Sequence, residues 1–308
     1  MIELSVVITV LNEEENVKLM IERLTQALTG LNYEVIFVND GSNDRTEELV
    51  KLHSTPHIKL VSFTRNYGQS IAMRAGIDAA QGRYIAFMDG DLQNDPDDLP
   101  GMLYQLKDEN WDVVMGYRKE RKDNKLLRNF PSMVANAMIR KVTGIKLRDG
   151  GCSLRVFKRE FAEGLDLYGE LHRFIPVLTI MQGARVKQVD VRHHERLYGV
   201  SKYGLSRIFK VIPDLLFIYF LKNYSRKPMH FFGGWAMGLG AVGKLLLICA
   251  LICALVGVYF PLALTIIGAI SLSMAMLAVA IGLLAEIQMR IYHSSDRNPI
   301  YRLKNNKD

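Results

Sequence analysis

Ala86-Phe87-Met88-Asp89-Gly90-Asp91-Leu92-Gln93 carries an apolar strand out into two carboxylates separated by one glycine. A strand that ends between Asp89 and Asp91 lets both acids turn towards a common point, and Gln93 adds a neutral oxygen within reach. Hard oxygen donors of this kind suit Mg²⁺ or Mn²⁺ rather than zinc, and such ions usually complete their coordination with substrate phosphates and water. A nucleotide diphosphate is the natural guest. Alone, the tripeptide decides little, because most Asp-Gly-Asp sequences are turns with solvated acids.

The residues upstream supply the context. Leu4-Ser5-Val6-Val7-Ile8-Thr9-Val10-Leu11, Val35-Ile36-Phe37-Val38, Ile58-Lys59-Leu60-Val61 and Tyr84-Ile85-Ala86-Phe87-Met88 are β-rich runs separated by helix-length segments. In the first of those segments Val17, Met20, Ile21, Leu24 and Leu28 recur at helical spacing before Gly30. The pattern is that of an α/β domain with a mostly parallel, buried sheet. Ligands of such sheets collect at the carboxyl ends of the strands. Those ends read Asn12-Glu13-Glu14, Asn39-Asp40-Gly41-Ser42, Thr64-Arg65-Asn66 and Asp89-Gly90-Asp91, so four strands deliver polar groups to one edge. No glycine fingerprint follows the first strand, which disfavours a dinucleotide-binding Rossmann domain.

In this order, Thr9-Val10-Leu11-Asn12-Glu13-Glu14, Val38-Asn39-Asp40-Gly41-Ser42, Arg65-Asn66-Tyr67-Gly68 and Asp89-Gly90-Asp91-Leu92-Gln93 resemble the consecutive signatures of family 2 glycosyltransferases with the GT-A fold. Asp149-Gly150-Gly151-Cys152-Ser153-Leu154-Arg155, Arg173-Phe174-Ile175-Pro176 and His194-Glu195-Arg196-Leu197-Tyr198-Gly199-Val200-Ser201-Lys202-Tyr203 are similar to the polyprenyl-phosphate branch of that family. That branch includes dolichyl-phosphate mannose synthases and bacterial undecaprenyl-phosphate enzymes. The resemblance implies a metal, Mg²⁺ or Mn²⁺, at Asp89, Asp91 and Gln93. It implies nucleotide-sugar contacts from Val10, Asn12, Glu13, Asp40, Arg65, Asp89, Gly90, Asp91, Arg196, Ser201 and Lys202. Within that set Glu13 falls near the ribose and Asp40 on the base. The chemistry falls to Asp91, Asp149, Arg155, Arg196 and Lys202, with Asp149 as candidate base and Arg155 suited to a phosphate oxygen. In the bacterial glucosyl relatives the acid stands two residues before the arginine, where this chain has Ser153. A phosphate monoester with a second pKa of about 6 is already ionised at neutral pH, so Asp149 has an orienting role open to it as well.

Length and composition leave room for one such domain and a membrane region. Among 308 residues 23% are charged, yet the mean hydropathy is +0.06, and the two reconcile through segregation: from 228 to 285 the one Lys, Arg, Asp or Glu is Lys244. About 58 apolar residues make roughly 87 Å of helix, enough for two crossings of a core about 30 Å thick, with the turn at Pro261. Spans are expected at 231–259 and 262–285. Arg226 and Lys227 flank one end and Arg290, Arg297, Arg302 and Lys304 the other, so both termini are expected in the cytoplasm. Met1-Ile2-Glu3 has no basic leader, which places the catalytic domain there too. The expected division is 1–204 for the catalytic domain, 205–227 for an amphipathic interfacial helix interrupted at Pro213, 228–286 for the spans and 287–308 for a tail.

Several features have plainer readings. Gly238-Leu239-Gly240-Ala241-Val242-Gly243 satisfies GxGxxG inside an apolar helix, where helix packing is expected, and Gly234 with Gly238 suits a homo-oligomer contact. Lys244 is expected to snorkel. Cys152, Cys249 and Cys253 form no disulfide framework. His193-His194 in an extended segment point to opposite faces and do not make a zinc site. The run from Arg118 to Lys125 is solvated surface or a holder of lipid phosphate, and the net charge of +7 suits anionic lipid and phosphates rather than nucleic acid.

Together these features predict an inverting transfer from a nucleotide sugar, a UDP-sugar, to undecaprenyl phosphate at the inner membrane, with a lipid-linked sugar flippase as a possible partner. The competing enzyme reading is a GDP-mannose:dolichyl-phosphate mannosyltransferase. The reading from another class is a nucleotide-sugar sensor or flippase scaffold. A processive synthase is disfavoured, since neither Trp111 nor Trp235 follows an arginine.

Overall fold

The computed structural model describes residues 1–118, 149–195, 207–257 and 261–294. They form two compact units, Met1–Leu215 and Leu216–Asp308, each taken here by itself. In the first, β1 (Leu4–Val10), α1 (Glu14–Ala27), β2 (Tyr33–Asn39), α2 (Thr46–Leu52), β3 (Ile58–Ser62), α3 (Gln69–Ala79) and β4 (Tyr84–Asp89) alternate strand and helix. There follow α4 (Asp98–Asp108), β5 (Val113–Tyr117), β6 (Arg155–Lys158), α5 (Arg159–Glu163), a 3-10 turn at Leu171–Phe174, α6 (Ile175–Met181) and β7 (Val186–Asp190).

The seven strands form one sheet in the order β3-β2-β1-β4-β6-β5-β7. Successive side chains of β1 take opposite faces, as strand geometry requires. Leu4, Val6, Ile8 and Val10 pack with Val17, Met20, Ile21 and Leu24 of α1, whereas Val7 packs with Met73 and Ile77 of α3 on the other face. A sheet covered on both faces has little use for polar residues in its strands, which is why those strands read as continuous apolar runs. The chain leaves β1 for β2 and β3 on one side and returns through α3 to β4 on the other, so the strand order reverses beside β1. A crevice opens at such a reversal.

The sheet is mixed rather than mostly parallel in its second half. β6 runs antiparallel to both β4 and β5, while β7 is parallel to β5. β6 has four residues, too few to display a period, and lies where the sequence offers mainly the Asp149–Arg155 motif. The last strand, Val186–Asp190, pairs over its whole length with β5 from Val113 to Tyr117.

The second unit is a pair of long helices, α8 (Pro228–Val256) and α9 (Pro261–Ser294), preceded by the second half of α7 (Arg207–Tyr224). Both long helices are apolar enough to cross a membrane, with mean hydropathy of 2.5 and 2.3. Pro213 does not interrupt α7; the missing N–H removes one backbone bond and the helix continues. α8 and α9 meet at glycine. A Cβ on Gly243 would lie 2.9 Å from the Gly268 carbonyl oxygen, and one on Gly268 would lie 3.1 Å from that of Gly243. Gly234 and Gly238 face open space and take no part in this contact, and Lys244 sits on the exposed face of α8. The corner between α7 and α8 is aromatic: Tyr224 and Phe231 have ring centroids 5.0 Å apart and Phe220 and Phe231 5.7 Å apart.

Candidate functional site

The site grows from the end of β4. Asp89 is registered opposite Thr9 of β1, and the chain then turns through Gly90. A Cβ on Gly90 would come within 2.6 Å of Val10 Cγ1, so Val10 is a floor beneath the turn. Its side chain is core, 3% exposed, so a nucleotide contact from Val10 would come from its backbone. Leu92 takes the left-handed conformation at φ 59°, and Asp91 Oδ1 accepts the Gln93 N–H at 3.2 Å, which closes an Asx-type turn around the second acid. The Gln93 carbonyl accepts the His194 N–H at 2.8 Å. The segment after β7 is therefore stitched to the acidic turn: Asn94 bridges His193, and His194 Nε2 lies 3.0 Å from Asp95 Oδ2. Neither histidine belongs to a metal cluster; the described residues hold no group of three or more His, Cys, Asp or Glu fit for one.

Asp89 and Asp91 face each other's charge. Burial first, and then the Asp91 carboxylate, push the Asp89 carboxyl up to about 6, against the pull of the Ser153 hydroxyl and of Arg155 and Arg118. Gln69, the first residue of α3, donates from Nε2 to Asp89 Oδ1 at 2.8 Å. Two crowded carboxylates, with the proton affinity of Asp89 raised, are a fit for a divalent cation, which would relieve the repulsion that otherwise favours the proton. Asp89 and Asp91 would hold such an ion, and water and ligand phosphates would supply the remaining ligands.

Asp149 and Arg155 belong to the same charge cluster, each held by a partner of its own. Asp149 is 4% exposed and clamped by Arg118, whose Nε and Nη2 donate to its two oxygens at 2.8 and 3.1 Å. It also accepts the Gly151 N–H at 3.0 Å. A carboxylate in a forked pair with arginine is occupied as an acceptor, so proton removal from a substrate would first break that pair. Arg155 is equally buried, at 4%, and donates from Nη2 to the Gly150 carbonyl at 3.0 Å. Burial pulls its guanidinium downward while Asp89 and Asp149 hold it charged. β6 places it opposite Phe87 in the interior of the sheet, within the electrostatic reach of both acids.

The ends of β1, β2 and β3 are tied to one another. Asn12 adopts φ 54°, donates its N–H to Ser42 Oγ at 2.9 Å and accepts the Asn43 N–H at 2.8 Å. Glu13 caps the start of α1 and accepts from Asn16 Nδ2 at 2.6 Å. Asp40, 5% exposed, accepts the Tyr67 N–H at 2.7 Å on one oxygen and the Gly68 N–H at 3.0 Å on the other. Gly41 has φ 73°, and a Cβ there would lie 2.3 Å from the Arg65 carbonyl carbon, so no side chain fits. Arg65 lies over the Tyr67 ring at 4.8 Å. Arg196, Ser201 and Lys202 lie outside the described residues, as does the basic run beyond Arg118.

Three participants were not anticipated: Gln69, Arg118 and Ser153. Gln69 had a faint signal, as the first polar side chain of a helix that opens at the carboxyl edge of the sheet. Arg118 directly follows β5 and reads in sequence as one charge of a basic run; its partner is 31 residues away, which local pattern cannot reveal.

Comparison with known proteins agrees with this geometry. Residues 5–165 match glycosyl transferase family 2. A dodecaprenyl-phosphate galacturonate synthase from Rhizobium johnstonii is 40% identical over 97% of this chain and 91% of its own length. An undecaprenyl-phosphate 4-deoxy-4-formamido-L-arabinose transferase from Photorhabdus laumondii is 34% identical over 97% of this chain and 92% of its own. Among solved structures, glucosyl-3-phosphoglycerate synthase from Mycobacterium tuberculosis, in a complex with Mn²⁺ and UDP, superposes with a TM-score of 0.53 at 19% identity, over 71% of this chain and 79% of that one. At that identity the likeness is one of fold, a GT-A-like mixed sheet with flanking helices. With a sheet edge that gathers paired acids, and relatives matched from end to end, the chain belongs to glycosyl transferase family 2, among its polyprenyl-phosphate sugar transferases.

Proposed function

We propose that this protein transfers a sugar, with inversion, from a UDP-sugar to undecaprenyl phosphate at the cytoplasmic face of the inner membrane. The observation that carries the reading is the placement of Asp89 and Asp91 beside the Arg118–Asp149 pair at one sheet edge. It brings a corner suited to a cation within the electrostatic reach of Arg118. Asp89, Asp91 and Gln93 would hold Mg²⁺ or Mn²⁺, whose chemistry when bound is to stabilise charge on a leaving diphosphate. Asn12, Glu13, Asp40 and Arg65 form the rim for ribose and base, with Arg196, Ser201 and Lys202 expected on the diphosphate. The acceptor phosphate arrives ionised, so what it needs is orientation and countercharge. Asp149 serves by aiming Arg118. The relatives' names point to a galacturonate or a 4-deoxy-4-formamido-L-arabinose group as the sugar.

The test is transfer by the purified chain in bilayers containing undecaprenyl phosphate, with UDP-galacturonate, UDP-4-deoxy-4-formamido-L-arabinose and GDP-mannose offered in turn. Product from a UDP-sugar supports the reading. Turnover of GDP-mannose alone would move it to the mannosyl branch, and donor binding without turnover of any of them would leave a sensor. Removal of residues 228–308 should keep nucleotide binding and transfer to a short, water-soluble prenyl phosphate, while transfer to the long-chain lipid falls sharply.

A further inference from the structure

The side-chain amide of Gln69 donates directly to Asp89, one acid of the Asp89–Asp91 pair, at 2.8 Å. We infer that Gln69 is a positioning residue that sets how tightly the site holds its divalent cation, by fixing the Asp89 carboxylate in the orientation that faces Asp91. The inference rests on the reading that Asp89 and Asp91 are the cation's ligands.

Three observations support it. The first is that Gln69 is itself rigidly placed. It opens α3 directly after Gly68, which holds φ 97°, and the two residues before it, Tyr67 and Gly68, are fastened through their N–H groups to buried Asp40. On its other side Ser70, fully buried, accepts the His172 N–H at 3.1 Å and lies 3.0 Å from His172 Nδ1, so the 3-10 turn grips the next residue of the helix. A side chain between two such anchors has little freedom to follow Asp89 if the acid rotates, and therefore restrains it.

The second is the kind of donor. Asp89 is approached by positive charge from Arg155 and Arg118, but the group on its Oδ1 is an uncharged amide. An amide fixes the direction of a carboxylate without cancelling its charge, whereas an ammonium or guanidinium in the same place would compete with a cation for it. The third is connectivity: the residues from Asp40 through Tyr67 and Gly68 to Gln69 and Asp89 tie the carboxyl end of β2 to that of β4 across β1, so an occupant at one end meets a framework already set for the other. Orientation of a ligand by a neighbour of this type commonly changes metal affinity by about 10–100-fold.

The experiment uses the full chain in detergent micelles and measures Mn²⁺ binding by electron paramagnetic resonance, with saturating UDP. Gln69→Leu, similar in size without the donor, should raise the Mn²⁺ dissociation constant by about tenfold. The unfolding midpoint and the UDP affinity without metal should stay unchanged, which a merely structural role for Gln69 would not allow. Gln69→His, which retains an N–H donor, should recover part of the loss. If wild type binds Mn²⁺ and Gln69→Leu binds it within twofold as tightly, the inference is wrong. If wild type itself holds no Mn²⁺, the assignment of Asp89 and Asp91 as ligands fails instead, and the inference with it.

Discussion

Two carboxylates buried at opposite ends of the same sheet have opposite electrostatic fates. Glu34, near the amino end of β2, has a side chain 2% exposed; its Oε1 accepts from Ser5 Oγ and from the Gln81 N–H, each at 2.6 Å, and its Oε2 is ion-paired with Lys59 Nζ at 2.7 Å. Burial works against its charge, but Lys59, Ser5 and Gln81 outweigh it and hold the carboxyl below the ordinary glutamate range. Asp89, at the carboxyl end of β4, has a second acid for a neighbour and is pushed up to about 6 by burial and by Asp91. At one end of the sheet the buried acid is matched by a cation of the protein; at the other, Asp91 leaves Asp89 with a raised proton affinity. Perturbed groups of the second kind gather at functional sites, whereas groups of the first kind hold structure.

That contrast can be broken by experiment. The largest effect is expected at the carboxyl end: Asp91→Ala should lower transfer by about a thousandfold while the protein stays folded, and EDTA should do the same to wild type. Full activity in EDTA would place Asp89 and Asp91 with the structural acids. Asp149 is the intermediate case, since it sits at the carboxyl edge yet is paired like Glu34. Asp149→Asn should cost about ten- to a hundredfold in kcat, less than Asp91→Ala, and leave the shape of the pH–rate profile unchanged. Loss of one limb of that profile would restore Asp149 as the base.

Glu34→Ala should leave turnover per folded molecule unchanged but lower stability by about 1–3 kcal/mol, as it strands the Ser5 hydroxyl and the Gln81 N–H. A shift of the thermal midpoint with no change in kcat checks it. The smallest expected effect is the pH dependence of that difference. Glu34 is depressed in the folded state, so its contribution is present above its ordinary value of about 4.5 and is lost as pH falls through its lower folded value. The gap in midpoint between wild type and Glu34→Gln should therefore close on acidification below that value and stay level from pH 5 to 7.

How much of this could be read from sequence depends on the range of the interactions. The β1-to-β4 half was legible, because each strand is a continuous apolar run and each carboxyl end carries its own polar cluster. The two apolar helices were legible from segregation of charge alone, their contact was not: Gly234 and Gly238 satisfy a packing pattern, yet Gly243 and Gly268 make the contact, since which glycines face the partner depends on the rotation of both helices. Asp149 and Arg155 were found as residues, but the pairing that holds each in place was not legible. Sequence shows a charge and not its partner, and Arg118 lies 31 residues from Asp149. Val10 was placed on the ligand by its motif, and strand alternation turns its side chain into the core beneath Gly90, which leaves its backbone for such a contact.

The bonds from Tyr67 and Gly68 to Asp40 have a consequence for hydrogen exchange. These two amides belong to a surface loop, and the Tyr67 side chain is 49% exposed, so their protons would be expected to exchange with solvent within the fastest class. Bonded instead to a carboxylate that is itself 5% exposed, they should exchange as slowly as strand amides. A ligand that engages Asp40 would alter that protection, and the two protons thereby become a label-free reporter of occupancy at this edge of the sheet.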